Sequence, residues 1–318
     1  MTREFVTGFL PEKLRSKREA MDSAVEITIT PVTHDLGAFK VNRALPARER
    51  TMIGPFIFVD EFGPARLPAG QGMDVRPHPH INLATVTYLF DGAIEHRDSI
   101  GSHAVIEPGA INLMTAGRGI VHSERSPQSL RPVGPSLYGM QTWLALPDGR
   151  EEVEPAFEHV PADALPLVQD GAASARVLMG TLWGASAATR CDSATVYADI
   201  ELGLGGSIPI EAEADERAVM LVGGEAQLDG QPLDPFSFYV LKPGHEARLS
   251  SSSGARAMLM GGEAFATRRH VFWNFVSSSR DRINQAKEDW KALRFPLIPG
   301  DDQEFIPLPE RPKTVSYP

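Results

Sequence analysis

Two short pairs of side chains in this sequence could share one metal ion: His78 and His80, separated by Pro79, and His122 and Glu124, separated by Ser123. On an extended strand residues i and i+2 project from one face, so each pair offers two donor groups on one side. Two such strands set face to face would make a four-point cage of three imidazoles and one carboxylate. Those donors suit iron, manganese, nickel, copper or zinc, and the lack of cysteine among them argues against an iron–sulfur cluster or a Cys-rich structural zinc site. A six-coordinate ion would keep two positions open, as an oxygen-activating or substrate-polarising centre needs, whereas a closed tetrahedral set would be structural. A histidine in a strand is as readily a hydrogen-bonded polar residue, so the setting of the pairs matters. Gly72 lies before the first pair, Gly92 and Pro108-Gly109 mark turns, and the second pair closes the Gly-rich run TAGRGIVHSE.

The surrounding residues say how the donors are presented. Pro77 and Pro79 both lack an N–H, so one side of the HPH strand cannot form a regular ladder, which places His78 and His80 at an edge, a mouth or a bulge. NLATVTYLFDG alternates as a strand ending at the Asp91-Gly92 turn. Gly117 and Gly119 permit a bend that would aim His122 and Glu124 inward, with Arg118 as a structural anchor. His96 and His103 have no partner two residues away and are expected at the surface, or beside a ligand as hydrogen-bonding groups. Asp60 and Glu61, next to Gly63-Pro64, are expected in a solvated turn.

This constellation resembles the pirin family of two-domain cupins. The resemblance rests on the first cupin motif (a Gly, five residues, HxH, later a Gly), on HPH, TVTYL and MTAGRGIVHSE, on GMQTWLALP at 139–147, and on WNFVSSSRDRINQAKEDWKALRFPLIPGDDQEFIPLP at 273–309. It implies an all-β fold of two jelly-roll-type barrels with one divalent metal ion, most often Fe(II), on His78, His80, His122 and Glu124. The usual cupin carboxylate would fall at Ala84 or Thr85, neither of which can ligate, so Glu124 supplies it. Where many pirins read HPHRGFET this chain reads HPHINLAT, and Ile81 and Asn82 remove a positive charge from beside the metal. The implied activity is that of a quercetin 2,3-dioxygenase, which cleaves a flavonol or related enol oxidatively with release of carbon monoxide, Glu124 accepting the substrate proton. The implied alternative is a non-catalytic iron protein that senses redox state and binds a protein partner.

Composition sets wider limits. At 318 residues and 42% hydrophobic content, the chain suits a soluble protein with two cores. Lys and Arg total 31 against 41 for Asp and Glu, and a net charge of −10 disfavours direct binding of nucleic acid or anionic membrane. Cys191 stands alone, which fits a reducing compartment, and the N-terminal stretch has neither a secretory signal nor an anchor, so a cytoplasmic location is expected.

The expected layout is an N-terminal arm over 1–22, a metal-binding barrel over 23–147, a linker over 148–175 that contains a functionally silent His159, a second barrel over 176–265, and a helix with an extended tail over 266–318. The barrels read as a diverged repeat. Setting Gly92 opposite Gly224 brings Pro108-Gly109 opposite Pro243-Gly244 and puts Ile210 and Ala212 opposite His78 and His80, so the second barrel lacks the donors, and His245 alone does not restore them. Near the end, Ser278 with Asp281 resembles a helix cap, and Ile283, Ala286, Trp290 and Leu293 recur at helical spacing.

Overall fold

The computed structural model describes residues 23–35 and 39–310. The arm expected over 1–22 and the last residues of the tail lie outside them.

Four sheets make two barrels. The first barrel has a seven-stranded sheet in the order β12 (Ala156–Val160), β9 (Ile111–Thr115), β6 (Leu83–Gly92), β11 (Ser136–Ala145), β4 (Phe56–Arg66), β3 (Lys40–Leu45), β2 (Val32–Asp35). A four-stranded sheet faces it, in the order β5 (Asp74–His80), β10 (Ile120–Arg125), β7 (Ile94–Asp98), β8 (His103–Ile106). The second barrel repeats the plan: β1 (Val25–Ile29), β22 (Phe238–Leu241), β19 (Glu216–Gly224), β24 (Ala255–Gly262), β17 (Thr195–Leu202), β14 (Ala173–Met179), β13 (Leu167–Asp170), faced by β18 (Ser207–Ile210), β23 (Ala247–Ser250), β20 (Gln227–Leu228), β21 (Gln231–Pro232). Two short hairpins complete the strands, β15 (Thr181–Leu182) with β16 (Ala185–Ser186) and β25 (His270–Phe272) with β26 (Phe275–Ser277).

The two long sheets pack on each other. Val86 and Tyr88 of β6 share one cluster with Met220 and Val222 of β19 and Met258 and Met260 of β24. The opposite face of β6 lines the first barrel, so the strand is buried on both sides and Leu83–Leu89 is buried without a break. The turn glycines do correspond: Gly92 and Gly224 both have positive φ, and a Cβ on either would strike a carbonyl oxygen, of Ser136 and Gly254 respectively.

Two expectations about layout need correction. β1 belongs to the second barrel, paired with β22, although it precedes the first in sequence. Residues 148–175 are built into both barrels, as β12 beside β9 and β13 beside β14. Period-2 patterning marks a strand without saying which sheet edge it will occupy, and the second barrel takes its seventh strand, β1, from the far side of the first barrel in sequence.

The closing segment adds β25, β26 and the helix α1 (Arg280–Lys291). Its cap is Ser279, whose hydroxyl accepts from the Arg282 N–H, while Ser278 instead donates to Glu151. Ile283, Ala286 and Trp290 are buried against Ile81, Val121 and Phe275, whereas Leu293 lies past the helix and is exposed.

Candidate metal centre

Strand β5 is an edge strand, as its prolines require. Its inner side pairs with β10, His78 opposite His122 and His80 opposite Ile120. On its outer side the Pro77 carbonyl accepts from the Ile306 N–H at 2.8 Å and the Ile81 carbonyl from the Val276 N–H at 3.4 Å, so the C-terminal segment covers the bare edge. Opposite the step from His122 to Glu124, β5 advances from His78 to Val75, a bulge that re-aims the donors.

Alternation then turns His78, His80 and His122 to one interior, where a donor nitrogen from each lies within 4.8 Å of the others. The Nε2 atoms of His80 and His122 are 3.1 Å apart. All three rings are buried. Desolvation lowers the pKa of each, and for His80 and His122 the neighbouring imidazoles deepen the effect. His78 Nδ1 donates to the Arg76 carbonyl at 2.8 Å, which leaves its Nε2 with a lone pair. Three uncharged imidazoles with converging nitrogens, one with its tautomer already fixed, are a donor set that fits a borderline divalent cation.

Glu124 is buried in the same cavity but stands outside this convergence: both of its oxygens accept from Gln141 Nε2 at 2.9 Å, and Thr87 Oγ1 donates to one of them at 3.4 Å. The structure therefore brings three of the four expected donors together and holds the fourth on an amide beside them.

The remaining expectations divide. His103 is exposed and pairs with Glu95. His96 is buried, stacked on Phe157, with its Nδ1 3.5 Å from His122 Nδ1 and its Nε2 3.1 Å from Asp98 Oδ2. His159 sits on β12, exposed, with Nδ1 2.7 Å from Asn112 Oδ1. Asp60 and Glu61 are not in a turn: both lie within β4 and are buried on opposite faces. Burial raises Asp60 even though Arg43 grips it, and pushes Glu61 up to about 7 against hydrogen bonds from Asn42 and Tyr138. Ile81 faces away from the metal cluster and packs on α1, so the charge missing there lies outside the donor interior; Asn82 takes φ +56, a conformation asparagine tolerates better than other side chains.

Above the donors lies a cavity of about 480 Å³, walled by Phe39, Phe58, Phe62, Trp143 and Trp273 and carrying Arg43, Asp60, His78, Glu124, Gln141 and Asn274. Sequence reasoning missed Gln141, Arg43 and Asp60. Their signal was one polar residue at an inward phase of an apolar strand, visible only once the phase was known. In the second barrel β18 and β23 pair as β5 and β10 do in the first, with Ile208 opposite Leu249 and Ile210 opposite Ala247. These aliphatic side chains are buried and offer no donor atoms.

Comparison with known proteins agrees with this architecture. The Pirin family model matches residues 38–144 and the Pirin C-terminal cupin domain matches residues 197–296. A pirin-like protein of Caulobacter vibrioides is 46% identical over 279 residues, covering 87% of this chain and 96% of that protein. A pirin-like protein of Solanum lycopersicum is 30% identical over 258 residues, covering 79% and 85%. Among solved structures, a quercetin 2,3-dioxygenase from Acinetobacter baumannii superposes with a TM-score of 0.83 at 33% identity, covering 91% of this chain and 96% of that one. Two stacked jelly rolls, of which among the described residues only the first carries clustered histidines, are the arrangement most of whose length these matches cover, and the chain belongs to the pirin family.

Proposed function

We propose that this protein is a mononuclear-metal oxygenase that cleaves flavonols or related enols in the manner of a quercetin 2,3-dioxygenase, with Fe(II) as its metal. The observation that carries this is a cluster of uncharged, buried imidazoles that meets, through His78, an aromatic-walled cavity of small-molecule size. His78, His80 and His122 would hold the ion, with Glu124 as the fourth ligand or as the group that takes the substrate's enol proton. A divalent ion there supplies Lewis acidity toward an enol oxygen and the redox chemistry that dioxygen requires. Gln141 keeps the Glu124 carboxylate at the cavity floor by donating to both oxygens. Trp143 meets the His80 ring edge-on at 5.1 Å and fixes its plane, and Trp273 and Asn274 close the wall against water.

The test is elemental analysis of protein purified without added metal, followed by oxygen uptake on flavonols. The expected result is one iron per chain and uptake that depends on it, both lost in His80→Ala and both retained in His159→Ala. Iron-replete protein that consumes no oxygen with any flavonol or enediol would reject the reaction.

One observation favours the redox-sensor alternative. Ser123 and Arg125, on either side of Glu124, both bond Asp301 of the C-terminal segment, so a change of charge at the donors has a route to the surface. A sensor has no need of an aromatic cavity, which is why catalysis is preferred. Partner affinity that differs between ferrous and ferric protein, without turnover, would reverse that preference.

A further inference from the structure

The inner face of the first barrel has an order that holding a metal does not explain. Arg43, Asp60, Gln141 and Thr87 are successive register partners across β3, β4, β11 and β6, a polar row through an apolar interior. One step along the strands runs an aromatic row, in which Phe58 and Trp143 stack at 4.0 Å with planes 11° apart. The aromatic row ends at His80. In the polar row, Gln141 and Thr87 are engaged by Glu124.

Arg43 and Asp60 remain. They are joined by two bonds of 2.8 Å, and the guanidinium lies 4.3 Å from the Phe58 ring centroid. Asp60 is buried and Arg43 half-buried, and an ion pair withdrawn from water is seldom better for stability than two apolar side chains of the same size. Here it also opens onto the cavity that His78 and Glu124 line. The fork to Asp60 uses Nε–H and one Nη2–H, so the other guanidinium N–H groups lie outside it, next to carboxylate oxygens that can accept further bonds. Donor and acceptor side by side, in a cavity with aromatic walls, match a hydroxylated ring.

We propose that Arg43 and Asp60 are a specificity-determining pair that binds the hydroxylated outer end of a planar aromatic substrate whose enol end lies at the histidine cluster. This rests on the oxygenase reading above. A site built to hydrogen-bond a hydroxyl rejects the analogue without it, because the buried groups are then left unpaired.

The experiment uses the full metal-loaded chain and three flavonols that differ only in carrying zero, one or two hydroxyls on the pendant ring. Binding is measured by calorimetry without oxygen, and turnover separately by oxygen uptake. The native protein should bind the dihydroxylated compound at least about tenfold more tightly than the unhydroxylated one. In Asp60→Asn and in Arg43→Leu the ratio should fall to within about twofold, with metal content and affinity for the unhydroxylated compound unchanged. Arg43→Lys keeps the charge without the fork and, as the mildest change, guards against misfolding; it should also lose the preference for two hydroxyls over one. A preference that survives in these variants, or its absence from the native protein, overturns the pair's role. Discrimination among the three compounds without oxygen uptake would sustain the pair and reject the reaction.

Discussion

Glu61 and Asp60 are adjacent in sequence and belong to different parts of the molecule. Asp60 faces the cavity, while Glu61 faces the partner sheet, where the Tyr138 hydroxyl lies 3.2 Å from it and shares its one hydrogen between it and the Val222 carbonyl. Arg256, clamped on Asp199, also bears on that tyrosine. Because burial raises the Glu61 carboxyl to about 7, the folded state binds its proton more tightly than the unfolded state, and its contribution to stability is lost as pH rises from about 4.5 through 7. Glu61→Gln should therefore be the more stable protein at pH 8 by about 2–3 kcal/mol and should lose that advantage at pH 5. Denaturant midpoints at the two pH values check this; an equal gap at both would show that the carboxyl is ionised throughout. The contrast with the histidines shows what one residue reveals on its own. The spacing of His78 and His80 fixes that they share a face wherever their strand goes, whereas the burial of Asp60 and Glu61 depends on two sheets covering β4, which no local pattern reports.

At the scale of elements, the C-terminal segment does more than pack. β5 cannot donate from Pro77 or Pro79, and the segment meets that edge with bonds to the Pro77 and Ile81 carbonyls while lending Trp273 and Asn274 to the cavity. Its docking depends on Asp301, whose carboxylate accepts from Ser123 Oγ at 2.7 Å and from Arg125 Nε and Nη2 at 3.0 and 2.9 Å. Asp301→Ala should weaken docking by about 1–3 kcal/mol, the usual loss for charge-assisted bonds of this kind. Arg125 would keep Asp74 and Glu304. The expected outcome is faster hydrogen exchange at the Ile306 amide, bound metal close to native, and a raised KM with kcat little altered. Loss of metal equal to that of His80→Ala would mean instead that the segment holds the ligand strand itself. The helix was legible in the period of Ile283, Ala286 and Trp290, and the edge in the two prolines. That the one covers the other was not, because Ile81, which joins them, reads locally only as an apolar residue beside a histidine.

Across the whole molecule, the two long sheets share one core, and the second is completed by β1, which precedes the whole first barrel in sequence. Sequence repetition showed two barrels, since the turn glycines and the loss of donors in the second half are both local. It could not show that β1 crosses to the second barrel, because antiparallel pairing is indifferent to how much chain lies between partners. That crossing has a measurable cost if undone. β1 sets Ile29 opposite Phe238 and Thr28 opposite Tyr239, and Ile29 is buried in the core common to both sheets. A chain begun at Val32 would leave β22 as an exposed edge and remove that side chain, whereas one begun at Ser23 keeps both and serves as the control. Loss of one buried isoleucine and the ladder beside it should cost about 3–5 kcal/mol. Because the core is continuous, the loss should lower a single unfolding transition, monitored by calorimetry and by release of metal from the first barrel together, and the bare β22 edge should promote self-association on size exclusion. Two separate transitions, with metal retained through the first, would instead make the barrels independent units joined only by their strands.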